Sequence, residues 1–133
     1  MHLYPEPYIL RHGEMLWNQQ GRFQGQKNSP LTDKGRRQAM AQGEVLRSVK
    51  CLPRIVFVSP LGRTLTTANL AAPCIETHVK EPPLLKINFG AWEGATHEDI
   101  TQTITGRVQG SDWFFKSPCG ERFNMISMRV MSF

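Results

Sequence analysis

Tyr8-Ile9-Leu10-Arg11-His12-Gly13-Glu14 is a short apolar run that ends abruptly in Arg-His-Gly-Glu. Tyr8, Ile9 and Leu10 have the pattern of the end of a buried strand. Gly13 would let the chain turn sharply just after it. That places Arg11 and His12 at the carboxyl end of a strand, where open α/β sheets bind ligands. Arginine presents a rigid fork of donors that matches phosphate. Histidine is a nucleophile that works near neutral pH. An Arg-His pair on its own is more often only a strand end, so the rest of the chain has to decide.

From Arg11 to Pro30 the chain is polar and rich in Gly, Asn and Gln. It reads as a loop with a short helical turn near Trp17, and loops at strand ends are where sites are built. Thr32 can cap a helix running to about Val49, with Gly35, Ala39, Gly43 and Leu46 on one small-residue face. Ile55-Val56-Phe57-Val58 is a continuous β-branched and aromatic run, the pattern of a strand covered on both faces. Ser59-Pro60 ends it, and a helix follows with Leu61, Leu65, Ala68 and Ala72 at helical spacing. Arg63 then sits at a strand-to-helix junction beside free backbone amides, a favourable place for an anion. The alternative is an exposed arginine at a helix start.

Cys74 to Val79 reads as a short edge strand, and Pro82-Pro83 interrupts the chain. Thr96-x-x-Asp99 has the form of a capping box opening a helix that carries Ile100 and Ile104. Gln109 to Gly120 reads as a loop in which Trp113, Phe114 and Phe115 pack rather than form a binding platform. Phe123, Ile126, Val130 and Phe133 keep helical spacing and form an apolar stripe to be buried. Strands alternating with helices predict a three-layer α/β domain. No repeat, low-complexity stretch or long linker divides the chain, so residues 1–133 are expected to form a single domain.

At 133 residues, 40% hydrophobic and 20% charged, the composition is ordinary for a globular domain. No apolar run approaches the length of a membrane span. The first residues lack the basic start and apolar core of a signal peptide, which points to the cytoplasm. Cys51, Cys74 and Cys119 are far apart, without metal-ligand pairing, and read as reduced structural thiols. The formal net charge of +5 suits an anionic partner. The basic residues are scattered, and Lys34, Arg36 and Arg37 lack interleaved aromatics, so a solvated helix face explains that trio better than a nucleic-acid surface.

Ile9-x-Arg11-His12-Gly13-Glu14-x-x-x-Asn18 resembles the signature of the histidine phosphatase superfamily, the phosphoglycerate mutase-like proteins. Ser59-Pro60-Leu61-Gly62-Arg63-Thr64-x-x-Thr67-Ala68 resembles that family's second motif, and Phe89-Gly90-Ala91-Trp92-Glu93-Gly94 its third. The resemblance implies a phosphoglycerate mutase-like α/β/α sandwich. It implies that His12 takes the phosphoryl group of a small phosphorylated substrate while Arg11 and Arg63 bind the non-bridging oxygens. Asn18, Gln24 and Gly25 match positions that help hold the phosphate. The chemistry implied is covalent, with no metal and no cofactor. His2, His78 and His97 are isolated, and Glu14 and Glu93 read as local hydrogen-bond partners. The third block looks like the phosphatase branch more than the glycolytic mutase branch. Mutase-type phosphoryl transfer is the alternative.

Two departures accompany the resemblance. The family's general acid is a glutamate just before the third block, and the corresponding residue here is Lys86. A lysine ammonium is a poorly matched proton donor near neutrality. The family's second catalytic histidine ends a late strand, and no histidine follows His97 in this sequence. The resulting expectations are an incomplete C-terminal strand, a first strand lacking a neighbour, and low stability. A homodimer through the open edge and impaired turnover are also expected. A phosphoester-binding protein without efficient catalysis is therefore a second reading. A nucleic-acid module, motivated only by charge, is the weakest.

Overall fold

The computed structural model describes residues 6–103 and 113–133. Among these residues, five α-helices and two strands follow one another as α1 (Leu16–Gln19), α2 (Asp33–Arg47), β1 (Ile55–Val58), α3 (Gly62–Ala71), β2 (Thr77–Lys80), α4 (His97–Thr103) and α5 (Phe123–Met131), with short 3-10 turns between some of them. The α/β reading therefore holds. β1 and β2 pair in parallel, from Ile55 opposite Thr77 to Val58 opposite Lys80.

α2 begins where its sequence says it should. The Thr32 hydroxyl accepts from the Gly35 amide, and Gly35, Ala39, Gly43 and Leu46 are the buried face. Gly43 lies against the Ala71 backbone of α3, closer than a residue with a Cβ would allow. The start of α4 is also as expected. Thr96 and Asp99 exchange hydrogen bonds, the Thr96 amide donating to Asp99 at 2.8 Å and the Asp99 amide to Thr96 Oγ1 at 3.1 Å. Apolar packing falls into two clusters. Leu46, Ala72 and Ile75 meet Val56 under the strand pair. Ile87, Phe89, Trp92 and Ile100 gather Phe23, Ala95, Phe115 and Ile126 around the third sequence block.

Several expectations are corrected. Tyr8, Ile9 and Leu10 do not form a buried strand: no strand is assigned over 6–14, and Ile9 is 93% exposed. A strand exists only by virtue of its ladder, and the β1–β2 sheet does not reach this segment. Side chains of α2 take the ladder's place. Gln42 donates from Nε2 to the Arg11 carbonyl at 2.9 Å and accepts from the Arg11 amide at 3.1 Å. Gln38 Oε1 accepts from the Glu14 amide at 2.9 Å. Gly13 is needed for closeness rather than for a turn. A Cβ on Gly13 would overlap the Gly35 carbonyl, and one on Gly35 would overlap the Glu14 carbonyl.

β1 is covered on one face only. Val58 is buried, but Ile55 and Phe57 are 47% and 53% exposed, and the Phe133 ring reaches Phe57 edge-on at 5.7 Å. The buried stripe of α3 is Arg63, Thr67 and Ala71; of Leu61, Leu65, Ala68 and Ala72 only Ala72, at the helix end, is buried. The stripe is rotated because the helix turns its polar groups toward the loop around Gly25 and toward Gly13. α5 forms as expected, but its apolar stripe is largely open. Only Ile126 is half-buried, while Phe123, Val130 and Phe133 are exposed, since the described fold places little across from them. Cys51, Cys74 and Cys119 are free thiols, as expected, but all are exposed and none packs in the core. Ile104 and the Trp113 and Phe114 side chains lie outside the described residues. Among the described residues, no helix is long and apolar enough to cross a membrane.

Candidate active site

His12 is half-buried, and its Nδ1 lies 2.8 Å from the Gly13 carbonyl oxygen. A carbonyl can only accept, so Nδ1 carries the hydrogen and Nε2 keeps its lone pair. Burial lowers the imidazole pKa below its ordinary value. The charges of Arg63, Arg11 and Lys86 push the same way, against the Gly13 hydrogen bond. The ring is therefore neutral at neutral pH, with a bare nitrogen in a positive field.

The backbone that carries His12 is tied to the helix that carries Arg63. The Gly13 amide donates to Thr67 Oγ1 at 3.2 Å, and that hydroxyl donates to the Arg63 carbonyl at 2.8 Å. Arg63 is the second residue of α3 and is only 3% exposed. Sequence placed Arg63 beside free backbone amides, but its own amide is taken up, donating to Asn28 Oδ1 at 3.1 Å. Its guanidinium donates to the Lys27 carbonyl at 2.9 Å and the Gly25 carbonyl at 2.6 Å. Two of its donors thus fix the fork while the remaining ones are held in orientation. Burial lowers the Arg63 pKa, and nearby Glu93 opposes the change.

The loop that receives Arg63 is built on the third block. Glu93 accepts from the amides of Gln26 at 2.8 Å, Lys27 at 3.1 Å and Phe89 at 3.1 Å. Gly25 is buried with φ of +54°, and a Cβ there would overlap the Glu93 carboxylate. Glycine is required on both counts. What Gly25 contributes is a carbonyl for Arg63. Gln24 is buried beside it, donating to Ser29 Oγ at 3.2 Å, and its Oε1 has no partner among the described residues. Asn18 accepts from the Met15 amide at 3.0 Å, capping α1. It also lines one groove with Arg11 and His12, a cavity of about 760 Å³ between residues 8–14 and α2.

Lys86 is exposed. Its carbonyl accepts from Gln26 Nε2 at 3.1 Å. The preceding turn is clamped by Arg129, which donates to the Pro83 carbonyl at 2.8 Å and the Leu85 carbonyl at 2.6 Å. Arg129 also grips Glu121 with two hydrogen bonds of 3.0 and 2.9 Å. Gln42 and Arg129 are supports that sequence reasoning misses, and Thr67, though in the second motif, has no role assigned to it by sequence. Each acts on backbone groups far away in the chain, and such bonds have no spacing signature. Glu14 and Glu93 are local partners, as expected. Glu14 accepts from Thr32 at 2.9 Å and pairs with Lys34 at 3.2 Å, and those bonds hold its pKa below the usual carboxylate range. Among the described residues, no group of three or more His, Cys, Asp or Glu side chains is placed to hold a metal ion.

Comparison with known proteins places this geometry. Residues 8–133 match the sequence profile of the histidine phosphatase superfamily (branch 1). The probable phosphoglycerate mutase of Salmonella choleraesuis (strain SC-B67) is 34% identical over 132 residues, covering 92% of this chain and 58% of that protein. The chain thus spans somewhat over half the length of the curated relatives it matches. The structure of the alpha-ribazole phosphatase of Shigella flexneri superposes with a TM-score of 0.78 at 31% identity, covering 92% of this chain and 62% of that one. A mycobacterial glucosyl-3-phosphoglycerate phosphatase, solved in complex with VO3, gives 0.75 at 28% identity, covering 91% and 61%.

Proposed function

Because the chain belongs to the histidine phosphatase superfamily, we propose that it works by moving the phosphoryl group of a small phosphomonoester onto His12 and then to water. The observation that carries this reading is the His12 imidazole, its Nδ1 2.8 Å from the Gly13 carbonyl oxygen, in the field of Arg63, Arg11 and Lys86. His12 Nε2 attacks phosphorus, the ester oxygen leaves, and Arg11 and Arg63 hold the non-bridging oxygens. Most of the stabilisation in such a transfer comes from fixed positive charge. Asn18, which lines the groove with Arg11 and His12, and Gln24, whose Oε1 has no partner among the described residues, belong to the substrate-holding set, and Gly25 acts through Arg63.

The naming of solved neighbours as phosphatases supports hydrolysis. The curated relative's name supports a second reading, in which the phosphoryl group passes from His12 to a hydroxyl of an acceptor. Lys86 at the general-acid position supports slow turnover by these residues, and in the limit a phosphoester-binding role. A cytoplasmic setting, consistent with three free thiols, and self-association through the open faces of β1 and α5 complete the proposal.

The test is binding of inorganic phosphate by titration calorimetry. Arg63→Ala should weaken it by about 1.5–3 kcal/mol, the range for charge-assisted hydrogen bonds. Unchanged affinity would remove Arg63 from the site.

A further inference from the structure

Attack on phosphorus, in the phosphoryl-transfer reading above, needs the imidazole held in line with a phosphoryl group bound at Arg63. A misplacement of about 1 Å can cost about 10²-fold in rate. His12 and Arg63 stand on distant stretches of chain, and Thr67 makes a bond that joins the two beside His12. It is 4% exposed on the buried face of α3, one turn beyond Arg63. Its Oγ1 lies 2.8 Å from the Arg63 carbonyl oxygen and 3.2 Å from the Gly13 amide nitrogen. The carbonyl can only accept, so the single hydroxyl hydrogen goes to Arg63 and the lone pairs face the Gly13 N–H. A threonine that bonds back to its own helix is commonplace. The bond to Gly13 is not, because it is buried and crosses 54 positions of sequence. The rest of Gly13 is equally tied. Its carbonyl meets the His12 ring at 2.8 Å, the Glu14 amide after it donates to Gln38 at 2.9 Å, and Gly35 lies too close for a Cβ. The Arg63 guanidinium, by contrast, is fixed by the Gly25 and Lys27 carbonyls.

We propose that Thr67 is a positioning residue for the transfer, its hydroxyl locking the backbone beside His12 to the helix that carries Arg63. In the step it serves, His12 Nε2 forms a bond to phosphorus and the P–O bond to the leaving group breaks. The electron pair of that bond leaves with the ester oxygen. Thr67 acts on the step through the Gly13 backbone, and its hydrogen stays on the Arg63 carbonyl throughout. Valine has the same shape but leaves the buried Gly13 N–H without a partner, so the backbone beside His12 gains freedom. Serine keeps both bonds. The Arg63 fork, held by the loop carbonyls, keeps its grip on phosphate in either variant. Loss of rate with binding retained separates this role from general loosening of the fold, which weakens both.

The test uses nitrophenyl phosphate, whose leaving oxygen departs as a phenolate and needs no proton donor. His12 phosphorylation at saturating ester is followed as a first-order rate constant, so the amount of folded protein does not enter. Affinity for inorganic phosphate is measured beside it by titration calorimetry. In Thr67→Val the rate constant should fall about 10- to 100-fold, with phosphate affinity nearly unchanged, and Thr67→Ser should recover most of the lost rate. Should Thr67→Val not fold, Thr67→Cys takes its place with the same expectation, because a thiol is a weak hydrogen-bonding group. A parental rate in that variant, an equal loss of rate and phosphate affinity, or a serine variant as slow as valine overturns the role of Thr67 and leaves phosphoryl transfer standing. No phosphoryl group on His12 in the parent chain overturns both.

Discussion

The imidazole of His12 has an ordinary pKa of 6.5, and burial with three nearby cations lowers it in the fold. Between the lowered value and 6.5 the unfolded chain binds more protons than the folded one. Stability contributed by this ring is therefore complete above 6.5 and is lost as pH falls through the folded value. The unfolding free energy, followed by urea denaturation at pH 7 and pH 5, should drop more steeply in the parent chain than in His12→Gln. Equal slopes would mean that the ring is not held neutral. The same physics serves the chemistry, because a nucleophile with a lowered pKa keeps its lone pair into mildly acid solution.

Among the elements, α2 supports the site most directly, and its first turn shows packing overriding propensity. Alanine is favoured over glycine inside a helix by about 1 kcal/mol. At Gly35, though, a Cβ would overlap the Glu14 carbonyl oxygen. Gly35→Ala should therefore destabilise the protein, by about 1–3 kcal/mol as for other overpacked contacts, and should displace residues 12–14. Denaturation midpoints for the variant would show it, and a stabilised variant would refute the close approach. The starts of α2 and α4 and the buried face of α2 were legible in the sequence, because Thr32 with its small-residue face and Thr96 with Asp99 are local patterns. The segment Tyr8–Leu10 was not, because strand propensity is a statement about a side chain and a ladder is a statement about neighbours. α3 was read one position round for a related reason. Counting apolar residues overlooks a helix that buries an arginine and a threonine to hold a loop. Thr67 stood in the second motif without a role to read, and the supports Gln42 and Arg129 carried no signal at all.

For the whole molecule, the site proposed above draws on three distant stretches. Residues 8–14 bring Arg11 and His12, the start of α3 brings Arg63, and the turn before the third block brings Lys86. Thr67, Glu93 and Arg129 tie the three together through backbone groups. The apolar surface is unevenly covered, with Ile55 and Phe57 of β1 and Phe123, Met128 and Met131 of α5 exposed. The chain spans 58% of the Salmonella relative, so activity is a property to be measured on these residues themselves. The most direct measurement is to mix the protein with an aryl phosphate, quench it in denaturant and locate any phosphoryl group by mass spectrometry. Convergence on a neutral imidazole predicts one base-stable, acid-labile phosphoryl group on His12, absent in His12→Ala. Phosphate on another residue, or none while the aryl phosphate is still hydrolysed, would contradict it.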